Sequence, residues 1–313
     1  MRYRDRLPQL QAARPFVTDG GLETTLIFHR GLDLPSFAAF DLLKDEAGTE
    51  ELRGYFAPYV ELARDRGTGL VLDTVTWRAN PDWAAQIGYA PDELDAANRA
   101  AVALAEEIRA ASEGEDTPIV INGVVGPRDD GYNPAELMSA EEAERYQARQ
   151  IETFAATAAD MVTAVTMTYP EEAIGIARAA RAAGMPVVIS FTVETDGRLP
   201  NGQPLTEAVE QVDAETGGEV TYFMINCAHP THFEDVLDED GPWRDRIRGL
   251  RANASAKSHA ELDEAEELDE GDPGELATQH RALAPRLPEV AVLGGCCGTD
   301  ARHVRAVCDA WPA

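Results

Sequence analysis

Cysteine is scarce in this 313-residue chain, and three of its four copies, Cys227, Cys296 and Cys297, directly follow short apolar runs, in "YFMINCAHP" and "VAVLGGCCGT". Adjacent residues do not offer the side-chain separation and direction that a disulfide needs, so the doublet asks for another use of two sulfurs. Three thiolates with one open position are the ligand pattern of a catalytic zinc site, whereas a structural site closes with a fourth protein ligand. Soft thiolates select zinc among the abundant divalent ions, and Zn2+ contributes Lewis acidity without redox chemistry. A thiol substrate in the open position would shed its proton near neutral pH and become a nucleophile held at a fixed point. The small neighbours Gly294, Gly295, Gly298 and Thr299 suit a close approach of backbone to ligand.

Two nearby residue types need separate treatment. Cys308, in "ARHVRAVCDAW", reads as a small buried residue of a C-terminal helix rather than a ligand. His229 and His232, in "CAHPTH", stay open as a ligand or as support for one, with capping of the following helix the preferred use.

Reactive side chains at strand ends need a frame that brings those ends together. Short Val-, Ile- and Leu-rich runs alternate with longer alanine-rich amphipathic stretches, the rhythm of strand–helix repeats around a parallel sheet. Strands are expected near Phe16–Asp19, Gly69–Asp73, Pro118–Gly123, Met161–Met167, Pro186–Phe191, Tyr222–Asn226, Ile247–Arg251 and Val290–Leu293. Helices are punctuated between them: one opens at Thr49 as cap and closes at Gly67, another runs from Pro170 to Gly184. Eight such repeats over residues 1–313 describe an α/β protein of one domain, a (βα)8 TIM barrel, and "DGGLETTL" after the first strand lacks the GxGxxG spacing of a dinucleotide fold. In a barrel the sixth and eighth strands stand two positions apart, so their tips can present three sulfurs to one ion. The acidic segments Phe233–Arg246 and Ala260–Glu275 read as solvated loops at their tips, with function reserved for their starts.

Composition limits the partners. Fifty-six acidic residues against 27 basic ones give a formal charge of −29, which repels nucleic acid and anionic membranes. No apolar run approaches the ~20 residues of a membrane span, so a soluble, cytoplasmic protein is expected. Lysine occurs only at Lys44 and Lys257, and so acid-rich and lysine-poor a surface looks like that of halophilic proteins from a salt-loaded cytoplasm.

The motifs "DGGLETTL" (Asp19–Leu26), "NGVVGP" (Asn122–Pro127), "NC" (Asn226–Cys227) and "GGCCGT" (Gly294–Thr299) resemble those of the homocysteine S-methyltransferases, over nearly the whole chain. That family includes the betaine- and S-methylmethionine-dependent enzymes. The resemblance implies a zinc-bearing barrel in which Cys227, Cys296 and Cys297 hold the metal and the Asp19–Gly20 pair holds the substrate amino acid. It further implies Thr74 and Thr76, in "DTVTWRAN", as a substrate edge, and Asn226, beside the first metal ligand, as a substrate-binding residue. One position departs from the pattern: Met167 stands where the family carries a glutamate that receives the substrate's ammonium. Glu23 stands where the family usually has a small residue, and the expectation is that it supplies the displaced carboxylate.

The resulting expectation is a zinc-dependent thiol S-methyltransferase. It would take a methyl group from an onium donor, S-methylmethionine or a betaine-like compound, and pass it to homocysteine to give methionine. The rivals are a different thiol acceptor, a corrinoid donor on a separate partner protein, since the chain has no room for that module, and a zinc-bearing thiol-binding barrel without turnover.

Overall fold

The computed structural model describes residues 2–132, 134, 136–265 and 267–312. Eight parallel strands close in sequence order into a barrel. They are β1 (Phe16–Val17), β2 (Leu70–Asp73), β3 (Ile119–Val125), β4 (Met161–Met167), β5 (Val187–Phe191), β6 (Tyr222–Asn226), β7 (Ile247–Ala252) and β8 (Val292–Gly295). The ring is sealed where β8 pairs with β1, Phe16 opposite Val292 and Val17 opposite Leu293.

Each strand is where its composition calls for it. Side chains along β2 to β6 and β8 are buried throughout, because one face fills the barrel and the other meets the surrounding helices. Pro118 and Pro186 lie just outside β3 and β5 instead of opening them. A proline has no N–H to donate to a ladder, but its carbonyl still serves, and Leu70 N–H and Val162 N–H donate to Pro118 and Pro186 at 2.9 and 3.0 Å. The first long helix, Glu46–Arg66, is capped by Asp45, which accepts from Gly48 N–H at 2.8 Å. This corrects the expected cap: Thr49 lies inside the first turn, where its hydroxyl donates to the Asp45 carbonyl. Gly67 closes the helix in the left-handed region at φ 57°, and Gly184 stands just beyond the helix Pro170–Ala182 at φ 67°.

The strand–helix rhythm is weakest between β6 and β7. A short helix, Pro230–Phe233, and the 3-10 turns Val236–Asp238 and Pro242–Arg246 replace a long helix there. Among the described residues no helix is long and apolar enough to cross a membrane.

Candidate metal and substrate site

The three cysteines are placed by backbone bonds between neighbouring strand ends. Cys227 follows β6 with φ 52°, an uncommon conformation for a side-chain-bearing residue. It is held by its N–H to the Arg251 carbonyl at 3.1 Å, and its own carbonyl accepts from Thr192 Oγ1 at 3.2 Å and pairs with His259 Nε2 at 2.7 Å. Cys296 donates its N–H to Ala252 at 2.9 Å, and Ala254 N–H donates to the Cys297 carbonyl at 3.0 Å. The doublet turns back on itself through Thr299, whose N–H and hydroxyl both reach the Cys296 carbonyl, at 3.1 and 2.7 Å. Glycine is required at position 295, because a Cβ there would lie 2.0 Å from Thr299 Oγ1.

The three sulfurs lie within 4.8 Å of one another, and they are the cluster of potential metal ligands among the described residues. Cys227 and Cys296 are joined as a disulfide with Cα atoms 5.3 Å apart, and Cys297 Sγ stands 3.9 Å from Cys227 Sγ. The expectation of three separate thiols is therefore met in position but not in bonding. The convergence that would put both sulfurs on one ion also puts them within reach of each other, and reduction returns three thiols. Those thiols fit zinc. Ligands at about 2.3 Å in a tetrahedral arrangement stand about 3.8 Å apart, close to the separation of Cys227 and Cys297.

Other candidates separate cleanly. Burial in the C-terminal helix pushes the Cys308 thiol up to about 12, away from the thiolate form a metal needs. His229 caps the short helix Pro230–Phe233 and pairs with Thr231 Oγ1 at 2.8 Å. Burial, with His232 and His280 nearby, holds it neutral down to about 4. His232 Nε2 pairs with the Ala256 carbonyl at 2.9 Å. Neither histidine belongs to the sulfur cluster.

Beside the sulfurs a cavity of about 630 Å³, open mouth included, is lined by Asp19, Gly20, Glu23, Thr74, Thr76, Asn226 and the three cysteines. Every site residue expected from the sequence thus faces one space. Their polar atoms are not equally available. Asn226 is spent on the rim: Oδ1 accepts from Thr166 N–H at 2.9 Å and Ser190 Oγ at 2.6 Å, and Nδ2 donates to Thr166 Oγ1 at 2.9 Å. The hydroxyls of Thr74 and Thr76 pair at 2.7 Å and tie β2 to β3 through Val124. Beside the Asp19–Gly20 pair, Gly21 N–H donates to the Thr299 carbonyl at 2.9 Å, which ties this turn to the end of β8.

Asp19 is also engaged. Its Oδ1 is ion-paired with Arg251 Nη2 and its Oδ2 accepts from Tyr55 OH at 3.0 Å. Arg251 reaches Asp73 with its other terminal nitrogen and the Gly295 carbonyl with Nε at 3.2 Å. Burial works against the Arg251 charge, yet the two carboxylates hold the guanidinium above its ordinary range, while burial pushes Asp19 up to about 6 against the pull of Arg251. Glu23 differs. Burial pushes its carboxyl up to about 7, opposed by a local backbone hydrogen bond and helped by the Asp19 charge. It is therefore poised to ionise when a cation arrives.

Met167 does not border the cavity. The β4–β5 register shifts between Ala164 and Met167, and Thr166 takes φ 60°, so Val165 and Thr166 edge the space while Met167 is fully buried in the core. The position that matches the family's glutamate is thus off the cavity wall in this chain, and an acidic replacement there would bury a charge. Sequence reasoning missed Arg251, Asp73, Trp77 and Tyr132 as lining residues. The signal for the first two was their place at the ends of β7 and β2, where barrel sites are built.

Comparison with known proteins agrees with this geometry. The family model for homocysteine S-methyltransferase matches residues 16–311. Homocysteine S-methyltransferase 4 of Zea mays is 24% identical over 309 residues, covering 93% of this chain and 87% of that protein. The crystal structure of the homocysteine methyltransferase MmuM from Escherichia coli in its metallated form superposes with TM-score 0.72 at 19% identity, covering 97% of this chain and 98% of that one. Its oxidised form gives the same TM-score, covering 96% and 98%. With a family match spanning almost the entire barrel, the chain belongs to the homocysteine S-methyltransferase family and is a methyltransferase.

Proposed function

We propose that this protein is a zinc-dependent S-methyltransferase that carries a methyl group from an onium donor to homocysteine, giving methionine. The observation that carries the reading is the meeting of three cysteine sulfurs, within 4.8 Å of one another, with the Glu23 carboxyl on one cavity. Cys227, Cys296 and Cys297 would hold the metal, which when bound supplies Lewis acidity that lowers the pKa of a coordinating thiol.

The protein's own groups then have to position the acceptor and exclude alternatives. Glu23, rather than Asp19, receives the acceptor's ammonium, because Asp19 is already balanced by Arg251 and Tyr55. The acceptor thiol releases its proton to solvent through the open mouth, its sulfur attacks the methyl carbon in line, and the bond from that carbon to the donor's cationic sulfur or nitrogen breaks as the donor leaves neutral. Gly20, Thr74, Thr76 and Asn226 shape the wall against which the acceptor lies. The rings of Trp77 and Tyr132 on the lining suit a cationic donor, as does the formal charge of −29.

The test is turnover. Reduced, zinc-loaded protein incubated with homocysteine and S-methylmethionine or a betaine should form methionine, and the metal-stripped protein should not. Loss of the donor's methyl group to another thiol but not to homocysteine would move the acceptor; no methyl transfer with any onium donor would end the reading.

A further inference from the structure

A loop outside the cysteine strands reaches the sulfur cluster. It follows β3, and among the described residues Tyr132 makes a contact: the hydroxyl lies 3.7 Å from Cys297 Sγ, within hydrogen-bonding distance for sulfur. The ring of Tyr132 rests on the His259 imidazole with centroids 3.9 Å apart. That imidazole is itself fixed at both nitrogens, Nε2 on the Cys227 carbonyl at 2.7 Å and Nδ1 on Glu194 Oε1 at 3.2 Å. Tyr132 therefore bears on two of the three cysteines, on Cys297 directly and on Cys227 through the histidine beneath it.

The loop is built to hold this pose. Tyr132 N–H donates to Asp130 Oδ1 at 2.9 Å. Gly131 is pressed so closely on the end of β4 that a Cβ would lie 2.9 Å from Thr166 Cγ2 and 3.4 Å from the Trp77 ring. Upstream, Arg78 Nη1 donates to the Asp129 carbonyl at 3.2 Å, and its guanidinium lies 4.1 Å from the Trp77 ring centroid and 3.7 Å from that of Trp83. Burial of that kind leaves the arginine little freedom, so the loop is clamped before Tyr132 is reached.

We propose that Tyr132 is a positioning residue of the thiolate site, donating its hydroxyl proton to Cys297 and locking that sulfur's orientation through its stack on His259. This rests on the metal reading given above. A metal-bound thiolate sulfur has no proton to give, so the tyrosine must be the donor in the working protein. Three thiolates already exceed the charge of one divalent ion, and a fourth sulfur from the acceptor adds to the excess; a hydrogen bond to Cys297 draws off electron density and makes that load easier to carry. Because Tyr132 also lines the cavity, the acceptor enters beside the group that steadies its partner sulfur.

The experiment is cobalt(II) substitution of the reduced, full-length protein, comparing wild type with Tyr132→Phe and Tyr132→Ala. In Tyr132→Phe, which keeps the ring on His259, the thiolate-to-cobalt charge-transfer band should move to lower energy and affinity for the ion, measured by chelator competition, should fall about ten-fold. Stoichiometry should stay the same. Tyr132→Ala should show the same spectral shift and a further loss of affinity, because the support for His259 goes as well. A wild-type band and affinity in Tyr132→Phe would overturn the assignment of Tyr132 alone. Failure of the wild-type protein to bind the ion would overturn the metal reading instead, so the two failures are distinguishable.

Discussion

The two ends of the barrel are made from the same eight strands but obey different rules. At the N-terminal end Leu7, Phe16, Val71, Val120, Met161, Val188, Tyr222, Met224, Ala291 and Val292 form a closed apolar cluster. The chain's first residues lie across it. There Asp160, wholly buried, accepts from Arg2 N–H at 2.8 Å, Tyr3 N–H at 2.9 Å and Ile121 N–H at 3.0 Å, and pairs with Arg109 at 2.7 Å. Every oxygen valence there is used, and nothing is left for a ligand. At the C-terminal end Thr166 and Cys227 adopt positive φ, Glu23 holds a carboxyl up at about 7, and three sulfurs crowd together. The first end is organised to be stable. The second holds strained and desolvated groups that stability alone would not select.

Substitutions should separate the two ends. The largest effect is expected from Ser replacement of Cys227, Cys296 or Cys297: each should abolish activity and most bound zinc, read by metal analysis and turnover, while Cys308→Ser leaves both nearly intact. Equal loss at Cys308 would falsify the ligand assignment. Next, Asp160→Ala should cost about 3–5 kcal/mol in denaturant unfolding, since it leaves Arg109 and three backbone amides without their acceptor. The surviving folded protein should keep its full complement of metal; a drop in metal per folded chain would mean that the ends are coupled.

A smaller effect is expected at Glu23. Glu23→Gln should weaken methionine binding in calorimetry by about 2 kcal/mol with metal content unchanged. The wild type should also show a pH dependence that the variant lacks. Below about 7 the free Glu23 carboxyl keeps a proton that an ammonium ligand must displace, so affinity should fall as the pH drops, approaching about ten-fold per unit, and level off above about 7. A flat profile in the wild type would assign the ammonium to another group.

Much of this was legible in the sequence, for identifiable reasons. The bounds of β4 and β6 follow directly from their apolar runs, Met161–Met167 and Tyr222–Asn226. Cys227, Cys296 and Cys297 stood out because cysteine is rare and all three sit at strand ends. What could not be read was direction and pairing. Met167 falls in the right column of a motif, but a local shift in the β4 ladder turns it into the core, as any one-residue change of register does to a strand's faces. Asp19 matched its motif too, yet the motif does not reveal that Arg251, 232 residues away, has taken its charge. Tyr132 lies in a loop whose course depends on Gly131 and Arg78, and neither carries a sequence signature.

The Arg251 tie has a consequence for ionic strength. Surface pairs such as Arg53 with Glu46 or Arg149 with Asp95 face solvent, and in molar salt, where charges are screened over about 3 Å, they fade. Arg251, Asp19 and Asp73 lie on the cavity wall with side chains only 12%, 6% and 7% exposed, so salt screens their attraction much less. The outside of this molecule responds to the salt around it, while the spacing of β1, β2, β7 and β8 at the site is held by an attraction that salt weakens far less.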